Sequence, residues 1–111
     1  MISAIHSSTY KNRILAAVPQ ADFDRYFAGL QPVSLPLKYL LYRVGDPLDS
    51  VYFVEEGVAS ILTSMANGST IEVGMVGREG IAGVAALMGG EASAQQVVVQ
   101  VPGAALRMPA A

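Results

Sequence analysis

Apolar and polar positions alternate from Thr70 to Met75, with Ile71, Val73 and Met75 set against Glu72 and Gly74. That period of two predicts a strand with one apolar face and one polar or bare face. The alternation stops at Val76-Gly77, where Gly77, Gly80 and Gly83 follow three residues apart. The run Val84 to Met88 is rich in helix formers, and Gly89-Gly90 closes it. Strand, glycine turn and short helix form a cassette. Its glycines either simply turn the chain or bring backbone N–H groups to bear on an anion. The second reading makes Gly77, Gly80, Gly83, Val84 and Ala85 the candidate ligand-binding residues, acting through their backbone. The GxxGxxG spacing is neither a dinucleotide fingerprint nor a P-loop, which needs a Lys-Ser/Thr ending.

Ahead of the cassette, residues 1–11 read as a loose leader that includes His6. Asn12, or an earlier serine, is placed to cap a short helix with Ile14, Leu15 and Val18 on it. Pro19 ends that helix and opens a second, on which Phe23, Phe27 and Leu30 recur at i, i+4, i+7 as a packing stripe. From Pro32 the texture becomes short β-type runs separated by turn residues. Val33–Leu35, Lys38–Val44, Val51–Val54 and Val58–Ser64 are expected strands, with Glu55-Glu56-Gly57 dividing the last two. Asn67-Gly68 is a hairpin signal leading into Thr70–Val76. Beyond the cassette, Val97, Val99 and Val101 alternate with glutamines. Pro102-Gly103 is expected to turn the chain into a last strand, Ala104–Met108. The pattern is mainly β: a jelly roll, or double-stranded β-helix, of about seven or eight short strands, with two N-terminal helices and the cassette helix.

At 111 residues the chain is long enough for one domain and one core. A net charge of −2 and basic residues scattered from Lys11 to Arg107 argue against a nucleic-acid surface, which clusters Lys and Arg. There is no cysteine, hence no disulfide, and no apolar run approaches the ~20 residues of a membrane span. No secretory signal follows Met1, so a cytoplasmic protein is expected. Enzyme readings lack material. One histidine near the terminus cannot complete a metal site or a nucleophile–base pair, and Glu55 and Glu56, as strand neighbours, would point to opposite faces. No enzyme activity and no cofactor are expected.

The segments VYFVEEGVAS (51–60), NGSTIEVGMVGREGIAG (67–83) and VQVPGAALRMPA (99–110) resemble the sensor domain of Crp/Fnr-type bacterial transcription regulators. The opening NRILAAVPQADFDRYFAGLQPVSLPL (12–37) is similar to that domain's helical lead-in. The resemblance spans residues 12–111 and implies a cyclic-nucleotide-binding-like β-roll. In the family a dimerisation helix and a helix-turn-helix DNA-binding domain follow. The chain ends at Pro109-Ala110-Ala111, about where that helix would start. The resemblance therefore implies a homodimer in a full-length parent, with DNA bound only through the C-terminal domain. Members that bind cyclic AMP carry a Glu directly after the cassette glycine and an Arg some ten residues later. Here Val84 follows Gly83, and Ser93-Ala94-Gln95-Gln96 holds no cation. The resemblance implies an effector-sensing domain that does not answer to cyclic AMP, its small-molecule effector unknown. The alternative is a ligand-free module that orients the dimer helix. High mean hydropathy with 14% charged residues further suggests an apolar face left for a partner or for further chain, with Val84–Met88 its first candidate.

Overall fold

The computed structural model of the chain describes residues 10–27, 29–83, 90 and 92–109. Helix α1 (Arg13–Ala17) starts because the Asn12 side-chain oxygen accepts the N–H groups of Ile14 and Leu15, at 3.0 and 3.1 Å. Two otherwise orphaned helix donors are thus satisfied. Pro19 then opens α2 (Gln20–Tyr26), with Asp22 in the first turn and Arg25 in the last, each on the favourable end of the helix dipole. The expected aromatic stripe is a packing face. Tyr10 stacks on Phe23, Phe23 on Phe27, and Phe27 meets Phe53 edge-on. These rings cover a core of Leu15, Val51, Phe53 and Leu106. Most of the expected leader lies outside the described residues. Its last two members are engaged, Tyr10 in the stack and Lys11 in an ion pair with Glu56.

Among the described residues the sheet has six antiparallel strands. They are β1 (Gln31–Leu35), β2 (Leu40–Tyr42), β3 (Ser50–Ser64), β4 (Thr70–Val76), β5 (Ile81–Ala82) and β6 (Gln96–Pro109). Their main order is β1-β6-β3-β4, with β2 also on β6 and β5 also on β3. Successive residues of β3 serve different faces. Val51 and Phe53 lie under the helices, whereas Tyr52 and Val54 face a second core inside the roll, with Leu35, Leu41, Tyr42 and Val99. Side chains of this size stabilise the fold by about 1.5–3 kcal/mol each when fully buried.

Three expectations change. Glu55-Glu56-Gly57 does not end a strand: Ser50 to Ser64 is one strand of 15 residues. Pro102-Gly103 does not turn the chain away either, and Gln96 to Pro109 is one strand of 14. Both long strands bend at the same place, where register shifts fall around Glu56 and Val58 on β3 opposite Ala104, Val101 and Val99 on β6. The two backbones approach so closely there that a Cβ on Gly103 would overlap the Glu56 carbonyl, and one on Gly57 the Val101 carbonyl. Gly57 also takes φ +95°, a conformation closed to most side chains. The glycines thus let a paired strand fold over without losing its partner, which is what rolls the sheet.

The third change concerns Ile71, Val73 and Met75. Ile61 pairs with Gly74 and Leu62 with Glu72, which leaves Val73 as the extra residue of a bulge. Met75 then lies opposite Ser60 and Ile71 opposite Thr63, three residues apart on β3 and so on opposite faces. The stripe read from the sequence is divided, and its members are 45%, 50% and 63% exposed. Asn67-Gly68 does make the β3–β4 connection, with Gly68 at φ +88° and Ser69 N–H bonded to the Asn67 side chain. The expected cassette helix, Val84–Met88, lies outside the described residues.

Candidate functional site

A cavity of about 320 Å³ opens where β2, β3, β5 and the start of β6 converge. Tyr42, Ala82 and Val97 are its buried residues; Leu48, Ile61 and Ile81 are half-buried aliphatic walls; Ala92, Ala94 and Gln95 are exposed at its rim. Backbone bonds hold the rim to the turn after β2. Gly45 N–H donates to the Ser93 carbonyl at 2.7 Å, and Ser93 N–H to the Asp46 carbonyl at 2.8 Å. The Ser93 hydroxyl donates to the Gln95 carbonyl at 2.6 Å and accepts the Gln95 N–H at 3.3 Å, a local turn that sets the direction of the rim.

The Tyr42 ring is fixed from two sides. Its hydroxyl donates to the Ser50 carbonyl, and its ring meets Tyr52 edge-on at 5.7 Å and 79°. Burial, followed by the neighbouring Tyr52 and Asp49, pushes its phenol well above the ordinary value of 10.0. It remains a neutral hydrogen-bond donor at any physiological pH. Gly83 passes directly over it at φ +86°, and a Cβ there would overlap the Tyr42 hydroxyl.

Of the five sequence-derived candidates, Gly83 lines this cavity. Gly80 and Gly77 do not. The Gly80 N–H is spent on the Gly77 carbonyl at 3.0 Å, and the Gly80 carbonyl accepts the Asn12 side-chain amide at 2.9 Å. Gly77 borders a separate groove with Glu55, Glu56, Arg78 and Glu79. Val84 and Ala85 lie outside the described residues. Ser93 and Gln95, singled out for what they lack, are at the cavity, whereas Tyr42, Leu48 and Ile61 carry no local sequence signal that would assign them to it.

In the second groove, part of the polar surface is engaged by contacts within the chain. Glu55 accepts the Asn12 N–H at 2.6 Å, Glu56 pairs with Lys11 at 2.6 Å, and the Arg78 carbonyl accepts the Arg13 N–H at 2.6 Å. The adjacent glutamates that failed as an acid–base pair thus anchor the N-terminal lead-in. Glu72, which flanks the cassette in sequence, accepts the buried Ser60 hydroxyl at 2.6 Å.

Residues 32–111 match the model of the cyclic nucleotide-binding domain. The chain belongs to that family. No curated protein sequence matches it. Among solved structures, the c-di-GMP responsive global regulator CLP of Xanthomonas campestris is similar in fold, with a TM-score of 0.71 at 17% identity over 83% of this chain and 45% of that one. The regulatory subunit of a cAMP-independent protein kinase A from Trypanosoma brucei gives 0.81 at 14% identity over 92% and 38%. The N-terminal domain of a transcriptional regulator from Streptomyces coelicolor A3(2) gives 0.71 at 22% identity over 89% and 71%. The chain spans less than half the length of the first two. These likenesses, all below 25% identity, bear on the fold alone. No helix among the described residues is long and apolar enough to cross a membrane.

Proposed function

We propose that this chain is the effector-sensing domain of a Crp/Fnr-type bacterial transcription regulator, and that cyclic AMP is not its effector. The observation that carries the second part is that no described residue lining the cavity is a cation. None of its described lining residues is charged, and Arg78 opens onto the other groove. The intervening sequence cannot supply one, because Gly80 to Leu106 contains no Lys or Arg and its one charged residue is Glu91. Enclosing a phosphate without a cation costs several kcal/mol that neutral amides recover only in part. The fold does not dictate the ligand: it serves one regulator described as c-di-GMP responsive and one kinase subunit described as cAMP-independent.

The role is binding rather than catalysis, since the chain carries a single histidine and no cysteine. DNA contact falls to a helix-turn-helix part of the parent regulator, because a domain of net charge −2 offers no clustered cations to phosphates. Titration calorimetry with cyclic AMP and cyclic GMP tests the ligand assignment, and no binding at micromolar concentration is expected. A micromolar dissociation constant for either overturns it. A metabolite screen by melting temperature tests sensing itself, since a ligand of the folded state alone raises stability. A screen without a stabiliser favours the ligand-free module that orients a dimer helix.

A further inference from the structure

Resting on that sensing role, we infer that the cavity takes an uncharged, ring-sized ligand whose adjacent hydrogen-bond donor and acceptor are read by the Gln95 carboxamide. Size comes first. About 320 Å³ is at the small end of ligand cavities, which run from roughly 300 to 1,000 Å³. One ring system with a small substituent fits that space; two linked nucleotides do not. The walls come next. Leu48, Ile61, Ile81 and Val97 present aliphatic surface, and the buried Tyr42, locked by its bond to Ser50 and its contact with Tyr52, adds a wall that does not have to be ordered on binding. A rigid ring loses little conformational freedom against such a surface.

The polar groups then narrow the chemistry. The Tyr42 hydrogen is committed to Ser50, and the Ser93 hydroxyl both gives to and takes from the Gln95 backbone. The Gln95 carboxamide is exposed at the rim and has no partner among the described residues. It offers an N–H donor and a carbonyl acceptor side by side. The complement is a ring edge with an acceptor beside a donor, as in a lactam or an amino-substituted heterocycle, the pairing that Asn and Gln make with adenine.

Calorimetry on the whole chain with adenosine and guanosine, their cyclic phosphates, and indole as a ring lacking the acceptor provides the test. Nucleosides are expected to bind at least about tenfold more tightly than their cyclic phosphates and than indole, a difference of about 1.4 kcal/mol. Gln95→Leu should remove that advantage over indole, and Gln95→Asn should keep part of it. Because Gln95 is exposed, both variants should melt with the parent chain. Equal binding of indole and nucleosides, unchanged in Gln95→Leu, overturns the reading of Gln95 and leaves an uncharged cavity in place. Tighter binding of the cyclic phosphates overturns the proposed function as well. If no probe binds, the ligand class falls, while the metabolite screen still decides whether the domain senses anything.

Discussion

The cassette turn between Gly77 and Gly83 has two sides that differ in kind. Toward the N-terminus it meets a polar junction. Asn12 alone caps α1 and donates from its side chain to the carbonyls of Val54 and Gly80, at 2.8 and 2.9 Å, and Glu55 accepts its backbone N–H. Toward β6 the same turn borders the apolar cavity, where Gly83 rests on Tyr42. On the polar side Asn12 is bonded to Glu55 and Lys11 to Glu56, and no buried side-chain polar atom among the described residues lacks a partner. On the apolar side there are aliphatic walls and, among the described residues, one carboxamide without a partner. The charged side anchors the helices, and the uncharged side forms the more enclosed and more apolar cavity.

The sharpest way to break this contrast is Asn12→Ala. The substitution removes a helix cap worth about 1 kcal/mol and strands two carbonyls at about 1 kcal/mol each, so a loss of roughly 3 kcal/mol is expected in urea unfolding. A loss below ~1 kcal/mol would mean that the junction is not what holds the helices to the turn. Gly83→Ala tests the other side. Positive φ and overlap with the tyrosine hydroxyl should together cost about 2 kcal/mol. Combining it with Tyr42→Phe, which removes the obstructing oxygen, should recover part of that cost; strict additivity would show that the two residues do not press on each other.

Tyr42 also separates the two sides by pH. Its phenol is raised in the folded chain, whereas an unfolded tyrosine ionises near 10.0. The folded state therefore keeps its full margin below pH 10 and loses it as pH rises beyond, because only the unfolded chain releases the proton there. Tyr42→Phe should flatten that alkaline decline in melting temperature, and an unchanged slope would remove Tyr42 as its source. Glu56 has the opposite sign. The hydrogen bond from Lys11, then its charge, holds the carboxyl below its ordinary value of 4.5, so its contribution is present above that pH and fades as acid protonates it. The pair is exposed, and Lys11→Ala should change stability at pH 7 barely at all while shifting the acid limb slightly. A large effect at neutral pH would show that the pair carries more of the junction than Asn12 does.

Local chemistry was readable along the chain. Asn12 caps a helix because its short side chain reaches back to the next N–H groups, and Phe23 and Phe27 pack because a helix returns to the same face every turn. Asn67-Gly68 turns because it tolerates the backbone that a tight connection requires. Family membership was readable too, through the motifs around Gly57, Gly68 and Gly83. What depended on distant residues was not. Gly57 and Gly103 look like strand ends until they are seen against each other's strand, where the missing side chains let two long strands bend together. The alternation of Ile71, Val73 and Met75 says nothing of a bulge set by how β4 pairs with β3. The cavity is the clearest case. Tyr42, Ile61, Gly83 and Gln95 are separated by as many as 53 residues, and only closure of the roll makes them neighbours. Hydrogen bonds between near residues follow from residue type, but a shared wall follows from which strands pair and where they bend.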